Sequence, residues 1–423
     1  MKNRIVSAAI AVLGLVSAWT LAVPFAYAQS AEPLTVDEAL RLSLSDQPGL
    51  DAFGRTSRAF EEAAVAAGQL PDFRLSGGVR NFPVTGSDAF SLDAERMTTR
   101  FIGLGRRQTP AARRRADAAR LLAEASAAEA EGALVERRIE RDVLLAWIAI
   151  VEARERQAVL QNLIDERQGR YAAAEAGVPT GRASAADAIA ARADIAAIRA
   201  ELADARGEEM AARSMLSRWI GEAAERPLTD NLPICRVASP ARARQTIDEH
   251  PQLALARQRT TVADRTIDVA RADRQPEWGW SVMYGNRGRG RSDMVGVELS
   301  IDLPLNRANL QNRRVAEARE LAAASRDRLE DRQRELIAQL DQALARFSAA
   351  EARLRTTADE TYPALRAAEQ AQEARLEGGG GSLESVLIAS DRTTRIVLEL
   401  VEQRAALARA SADLYYFTEE CDI

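Results

Sequence analysis

Residues 276–306, PEWGWSVMYGNRGRGRSDMVGVELSIDLPLN, are the stretch that decides the fold of this chain. Apolar side chains alternate with polar or small ones at both of its ends, and a charged, glycine-rich segment stands between. Such alternation is typical of strands with one apolar face and one polar face. The pattern predicts a hairpin with strands at about 277–285 and 293–303, and its charged loop is expected to lie in water.

A second hairpin is predicted in the first half of the chain. The sequence PDFRLSGGVRNFPV, from residue 71, alternates in the same way, and a return strand follows it. We expect these strands at about 72–82 and 96–105. Each of the four strands has roughly the 9 to 11 residues that cross a bilayer when tilted. Four strands are too few to close a barrel within one chain.

Composition indicates long helices and argues against most enzyme classes. Only 5% of the 423 residues are aromatic and 28% are charged, and the net charge is -5. Lys2 is the only lysine and His250 the only histidine, which argues against a phosphate-loop lysine, a Schiff base, a Ser-His-Asp triad and a multi-histidine metal site. We predict no catalytic residue, cofactor, metal site or nucleic-acid partner, and interpret His250 as structural.

The first 28 residues have the pattern of an export signal. Lys2 and Arg4 precede an apolar run that ends at the cleavage motif Ala26-Tyr27-Ala28. An uncleaved membrane anchor is the alternative. No later apolar run reaches ~18 residues, so no transmembrane helix is expected. An exported chain whose membrane-compatible elements are strands is expected in the outer membrane of a Gram-negative bacterium.

The chain is a duplication of one unit. Gln47-Pro48 before a predicted helix is echoed by His250-Pro251, about two hundred residues later. A period of this length indicates duplication of a whole domain and not a solenoid repeat. We divide the chain into the signal peptide 1–28, a first repeat 29–226, a linker 227–245 and a second repeat 246–423.

Helix lengths predict the architecture of each repeat. The helical pattern from residue 111 to 176 corresponds to a helix of about 100 Å, and two shorter helices of the same repeat match its length if they stack end to end. The second repeat gives the same match. Leu336, Leu340 and Leu344 belong to a coiled-coil seam. The fold class is therefore mainly α with transmembrane β, a duplicated helix-hairpin-helix repeat. Three copies would supply twelve strands for a barrel, and two copies only eight.

The sequence resembles TolC-type outer membrane factors over essentially the whole mature chain. The resemblance lies in LTVDEALRLSL, in GVELSIDLPLNRANLQNRRVAEA, and in the paired turns AGVPTGRASAADAIAARAD and GGGGSLESVLIASDR. It implies a homotrimer with a twelve-stranded barrel in outer membrane lipid and a periplasmic α-helical barrel. It also implies two protein partners, a periplasmic adaptor (membrane fusion protein) and an inner membrane RND-type pump.

Two segments, RNFPVTGSDAFSL and GVELSIDLPLNRANLQ, look most like the cobalt-zinc-cadmium resistance branch. The expected function is thus a passive exit duct for heavy-metal cations, with drug or solvent efflux and type I secretion as alternatives. The residues themselves do not favour selective metal binding, and tight binding would stop flux. Outside this class, a soluble periplasmic coiled-coil scaffold would explain the helices and the signal but not the two apolar strand faces.

By the resemblance, the two paired turns form the tip that contacts the adaptor. The residues concerned are Gly177, Val178, Thr180, Gly181, Gly378, Gly379, Gly380, Gly381 and Ser382. Taken alone, GGGGS is as typical of a flexible loop between helices. Asp187 and Glu384 follow the turns and could form acidic rings that gate the tunnel. More often such residues are first-turn acids favoured by the helix dipole.

Two further sets of residues carry structural hypotheses. Phe73, Trp278, Trp280 and Tyr284 are predicted to form a lipid-facing aromatic girdle; the alternative is a soluble sheet packed on helices. Cys235 in the linker and Cys421 near the C-terminus are the only cysteines. They could pair in the oxidising periplasm or remain free thiols, because sequence does not fix the distance between them.

Overall fold

The computed structural model describes residues 32–179, 184–234, 240–288 and 290–418. The predicted signal peptide, Thr180, Gly181, Cys235 and Cys421 lie outside the described residues.

The first repeat begins with two helices that a short break separates. Helix α1 (Val36–Leu44) ends before Asp46, whose backbone has a positive φ of 52°. Helix α2 (Pro48–Ala67) starts with a proline, which is favoured in the first helical turn because it needs no hydrogen-bond partner there. Strands β1 (Arg74–Arg80) and β2 (Thr99–Gln108) follow, then α3 (Ala111–Gly177) and α4 (Ala185–Ile220).

The second repeat has the same order of elements once α5 is counted with it, although residues 240–245 of that helix lie in the predicted linker. They are α5 (Pro240–Thr246), α6 (Pro251–Ala272), β3 (Glu277–Asn286), β4 (Met294–Asp302), α7 (Gln311–Thr356), α8 (Tyr362–Glu377) and α9 (Leu383–Phe417). Short 3-10 turns occupy Gly221–Glu225 and Ile247–Glu249, and a π-helical turn, Thr357–Thr361, joins α7 to α8 without a break.

Two long helical rods organise the chain. Helix α3 has 67 residues, or about 100 Å, and the α7–α8 rod is of similar length. Helices α2 and α4 both pack on α3, while α6 and α9 lie between α3 and the α7–α8 rod. Each pair of shorter helices therefore covers the length of a long one, as the sequence predicts.

A side-chain hydrogen bond links the two helices of each stacked pair at the joint between them. Gln47, just before α2, donates from its side-chain nitrogen to the carbonyl oxygen of Trp219 in α4, at 2.5 Å. His250, just before α6, has its Nε2 at 2.9 Å from the carbonyl oxygen of Tyr416 in α9. Gln47 and His250 are equivalent positions of the two repeats, so the duplication keeps the joint as well as the helices.

The largest core lies at mid-height, around the apolar stretch 143–151 of α3. Trp147 is fully buried there, and its indole N–H donates to the carbonyl oxygen of Asn231 at 3.1 Å. The segment before α1 joins the same core, since Leu34 pairs with Leu228 in a parallel bridge. The apolar run is a helix face buried between neighbours. In α7, Leu336 and Leu340 of the predicted seam are also fully buried.

The four strands form one antiparallel sheet in the order β1-β2-β3-β4. Each hairpin pairs internally, and β2 pairs with β3 from Arg100 opposite Asn286 to Gln108 opposite Trp278. The second strand was predicted too early, at 96–105. It spans Thr99–Gln108 because the polar residues 106–108 keep pairing with the backbone of β3.

Candidate functional site: the membrane sheet and the helix tips

One face of the sheet is apolar and uncovered. Directly opposed residues of antiparallel strands lie on the same face, and Leu104 stands opposite Leu75 on one side and Val282 on the other. Val297, opposite Val282, is 77% exposed. An apolar area this broad is expected to be covered by lipid or protein. The apolar face consists of Leu75, Val79, Ile102, Leu104, Trp278, Trp280, Val282, Tyr284, Val295, Val297, Leu299 and Ile301.

The opposite face is small, polar and concave. A β-carbon added at Gly105 would lie 2.8 Å from the carbonyl oxygen of Trp280, and one at Gly285 would lie 2.7 Å from Cγ2 of Thr99. On the apolar face, a β-carbon at Gly77 would find nothing nearer than 3.6 Å. Crowding on one face only indicates that the sheet curves around its polar face, as the wall of a barrel does.

Three of the four predicted girdle residues lie at the end of the sheet nearest the helices. The rings of Phe73 and Trp280 meet edge to face with 6.2 Å between centroids, and the guanidinium of Arg106 stacks on Phe73 at 4.6 Å. Trp278 is 46% exposed beside them. Aromatic rings with a stacked arginine suit the boundary between hydrocarbon and water.

The fourth girdle residue, Tyr284, lies toward the other end of the sheet. It is six residues beyond Trp278, or about 20 Å along the strand, and its hydroxyl donates to Asp293. Phe82 and Phe90, which sequence reasoning missed, pack edge to face at 6.3 Å in the loop after β1. Both occur in RNFPVTGSDAF, where phenylalanines in a polar loop were the available signal. Aromatic residues therefore mark both ends of the apolar face.

The loops that join the strands are bound to each other. Arg291, in the loop between β3 and β4, donates to the carbonyl oxygen of Glu95 at 2.9 Å. Arg100 pairs with Asp93. The two predicted hairpins thus share one loop cluster at the end of the sheet that is remote from the helices.

At the opposite end of the molecule, the tetraglycine segment is a folded turn. The N–H of Gly380 donates to the carbonyl oxygen of Arg375 at 3.0 Å, and Gly379 has a φ of +76°. These are features of a glycine-ended helix C-terminus. The side chain of Ser382 then caps α9 by accepting from the N–H of Ser385 at 3.2 Å. The two helices are joined by defined geometry and not by a flexible linker.

The other predicted tip residues lie at the start of α9 or at the equivalent turn between α3 and α4. Gly177 is the last residue of α3, and Val178 follows as its cap. Asp187 is the third residue of α4, and Glu384, exposed to solvent, is the second of α9. Both acids therefore stand in first helical turns, where the helix dipole favours negative charge.

A polar network that sequence reasoning missed ties α3 to α9 above the tip. Arg167 forms an ion pair with Asp391, and Arg170 donates to the hydroxyl of Ser390 at 3.3 Å and pairs with Glu166. Burial lowers the pKa of the Arg167 guanidinium, and the charge of nearby Arg170 lowers it further. The α3 and α9 partners are more than two hundred residues apart in sequence, so no local pattern could reveal the contacts between these two helices.

Solved structures of bacterial membrane proteins have this arrangement. A membrane protein of Pseudomonas aeruginosa is 16% identical, with a TM-score of 0.77 over 90% of this chain and 89% of its own. The outer membrane protein VceC of Vibrio cholerae is 17% identical, with a TM-score of 0.72 over 90% and 95%. The open state of the MtrE outer membrane channel of Neisseria gonorrhoeae is 17% identical, with a TM-score of 0.71 over 90% and 88%.

Residues 243–418 match the outer membrane efflux protein family. No curated protein matches the chain. The outer membrane efflux protein match runs from within α5 to the residue after α9 and so covers nearly all of the second repeat. The first repeat, which lies outside the match, has the same order of helices and strands. The predicted fold class, mainly helical with a duplicated helix-hairpin-helix repeat, is confirmed.

The described residues hold no group of three or more histidine, cysteine, aspartate or glutamate residues that could bind a metal ion. None of the described helices is both long enough and apolar enough to cross a membrane.

Proposed function

We propose that this protein is the outer membrane exit duct of a tripartite efflux system, through which cargo passes passively. The sheet carries the proposal: its apolar face is exposed, its polar face is concave, and β1 and β4 each have one strand neighbour within the protomer. Three copies would close a twelve-stranded barrel by pairing β1 of one copy with β4 of the next. Lipid would then cover the apolar face.

The helices would extend from this barrel as a tube through the periplasm. In this proposal the tips of α3/α4 and α8/α9 contact the periplasmic adaptor, through Gly177, Val178 and the turn Gly378–Ser382. The turn geometry supports a contact of fixed shape, because the backbone is held by its own hydrogen bonds. Asp187 and Glu384 would line the tunnel entrance as acidic rings, and the pump would lie beyond the adaptor.

Heavy-metal cations are the proposed cargo. The support is the resemblance of the loop after β1 and of the segment around β4 to the cobalt-zinc-cadmium branch. Drugs, solvents or secreted proteins are the alternatives for the same duct. Since a duct works by weak interaction, cargo choice is assigned to the inner membrane pump.

The first test is the location and mass of the mature protein. Envelope fractionation, detergent extraction and light scattering should give an outer membrane trimer. A periplasmic monomer that needs no detergent would reject the duct and favour the soluble coiled-coil scaffold. If the trimer is found, strains lacking the protein are challenged with zinc, cadmium, copper and drugs. Sensitivity to drugs alone would reject metal cargo while leaving the duct intact.

A further inference from the structure

We infer that Arg80 forms a ring of positive charge at the outer mouth of the barrel and that this ring raises the local concentration of anions relative to cations there. The inference rests on the proposed function, which supplies the three copies and the closed barrel. It concerns the strands alone and not the tips of the helices.

The strand register puts Arg80 on the concave face at the end remote from the helices. It is the last residue of β1 and stands opposite Thr99. It alternates with Gly78, Ser76 and Arg74, which occupy the concave face further down the strand. Six residues separate Arg74 from Arg80, or about 20 Å along the strand.

Charges of both signs occupy the lower part of the concave face. The register of the four strands places Arg74 and Glu298 at the same height, or level, on the concave face. Below them, Arg107 lies 3.9 Å from Glu277, which stands opposite Asp302. The positive and negative charges at these levels offset each other.

The upper part of the concave face is different. The next two levels above Arg74 hold only neutral side chains in the described strands, and the level after them holds Arg80. The residues of the two neutral levels are Ser76, Gly103, Met283, Gly296, Gly78, Phe101, Gly285 and Met294. Arg80 is therefore the first charged strand residue above Arg74 on the concave face.

The contacts of Arg80 hold its guanidinium in place without neutralising it. The group stacks on the ring of Phe101 at 4.5 Å from the centroid, and its Nη1 lies 3.1 Å from the sulfur of Met283. Neither partner is charged, and the described residues place no carboxylate within ion-pair distance of Arg80. The side chain is exposed to solvent. A fixed, solvated cation is what a charge filter requires.

The dimensions of the barrel let this charge act across the mouth. Twelve strands about 4.8 Å apart, tilted by about 40°, give a backbone diameter of about 24 Å. The Debye length is about 10 Å at 0.1 M salt. Three arginines that reach inward from such a wall lie within about one Debye length of most of the opening. Charges about 20 Å deeper in the barrel are screened from the opening by salt.

The test measures local potential at residue 99, directly across from Arg80. Cys235 and Cys421 are replaced by serine, Thr99→Cys is introduced, and the trimer is treated with methanethiosulfonates bearing a sulfonate or a trimethylammonium group. The ratio of the anionic to the cationic reaction rate should be similar for this parent trimer and for its Arg80→Lys variant. It should fall by about tenfold in Arg80→Gln and further in Arg80→Glu. At 1 M salt the differences should shrink, because the Debye length is then about 3 Å.

Arg74→Gln is the matched control, since it removes the same charge from the same strand at a greater depth. It should change the rate ratio by less than about twofold at 0.1 M salt. An unchanged ratio in Arg80→Glu, an equal effect of Arg74→Gln, or failure of the Thr99→Cys thiol to react with either reagent would overturn the inference. These outcomes are measured on a trimer already found in the outer membrane. They are therefore distinct from failure of the proposed duct, for which the result would be a periplasmic monomer.

Discussion

At the scale of single residues, His250 shows how a titratable group can serve as a joint. Its Nδ1 accepts from the backbone N–H of Gln252 at 3.1 Å, so its Nε2 carries the proton and donates to Tyr416. The bond from Gln252 needs the neutral ring, because a protonated Nδ1 cannot accept, whereas Nε2 donates to Tyr416 in either state. Burial lowers the pKa of His250, and the nearby charge of Arg137 lowers it further against the opposing hydrogen bond to Tyr416.

Acidification should weaken this joint. The unfolded chain takes up a proton at the ordinary histidine pKa of about 6.5, while the folded chain does not until a lower pH. Stability from the neutral ring is therefore complete above about pH 6.5 and is lost as pH falls through the lowered pKa.

His250→Gln should remove this loss, because glutamine at the equivalent position, Gln47, makes the same bond to a carbonyl. Thermal unfolding from pH 5 to pH 8 would show the free energy of unfolding of the wild type falling more steeply with acidification than that of the variant. The difference in slope is at most about 1.4 kcal/mol per pH unit. Parallel curves would mean that His250 does not titrate in this range.

At the scale of elements, the tetraglycine turn should discriminate among its glycines. Gly379→Ala would force a side chain into a φ of +76°, and a β-carbon at Gly381 would lie 2.9 Å from the backbone of Leu376. Each substitution is expected to cost about 1–2 kcal/mol. Gly380→Ala is the control, because its β-carbon would meet nothing nearer than 4.0 Å.

Limited proteolysis at the turn would measure the difference between these variants. Faster cleavage of Gly379→Ala and Gly381→Ala than of wild type is expected, with Gly380→Ala unchanged. Equal cleavage of all three alanine variants would indicate that GGGGS is a flexible loop.

The π-helical turn Thr357–Thr361 distinguishes the second long rod from the first. Pro363 follows it and lacks the N–H of a regular helix, and a local widening of the helix accommodates such a residue. Helix α3 is continuous over the corresponding segment. Hydrogen exchange should therefore be faster at 357–363 than at 157–163. Equal protection of the two segments would show that the π turn does not loosen the rod.

The sequence could predict the strands and long helices because their signals are local. Alternation identified β3 and β4, and helical periodicity identified α3. The limits of β2 were less clear because Phe101 and Ile102 are adjacent apolar residues on opposite faces, and because Arg106 and Arg107 look like a loop. The Arg167–Asp391 pair and the curvature of the sheet depend on long-range packing, which no short pattern records.

At the scale of the whole molecule, the two faces of β4 should respond oppositely to charge. Val297→Arg would bring a cation to the lipid side, where it costs about 2–4 kcal/mol near the centre of a bilayer. Glu298→Arg, on the next residue, places the same side chain on the concave face. Membrane fractionation should find Glu298→Arg in the outer membrane and much less of Val297→Arg. Equal recovery would contradict the assignment of the apolar face to lipid.

The glycines of the concave face also bear on what can fit through the closed barrel. Gly103, Gly105, Gly279 and Gly296 carry no side chain, and the crowding around them leaves no room for larger residues at these four positions. With a backbone diameter of about 24 Å, such a bore would admit an object as wide as an α-helix, about 10–12 Å. Between Arg80 and Arg74, where the described strands carry no charge on this face, the proposed barrel would therefore select by width and not by charge.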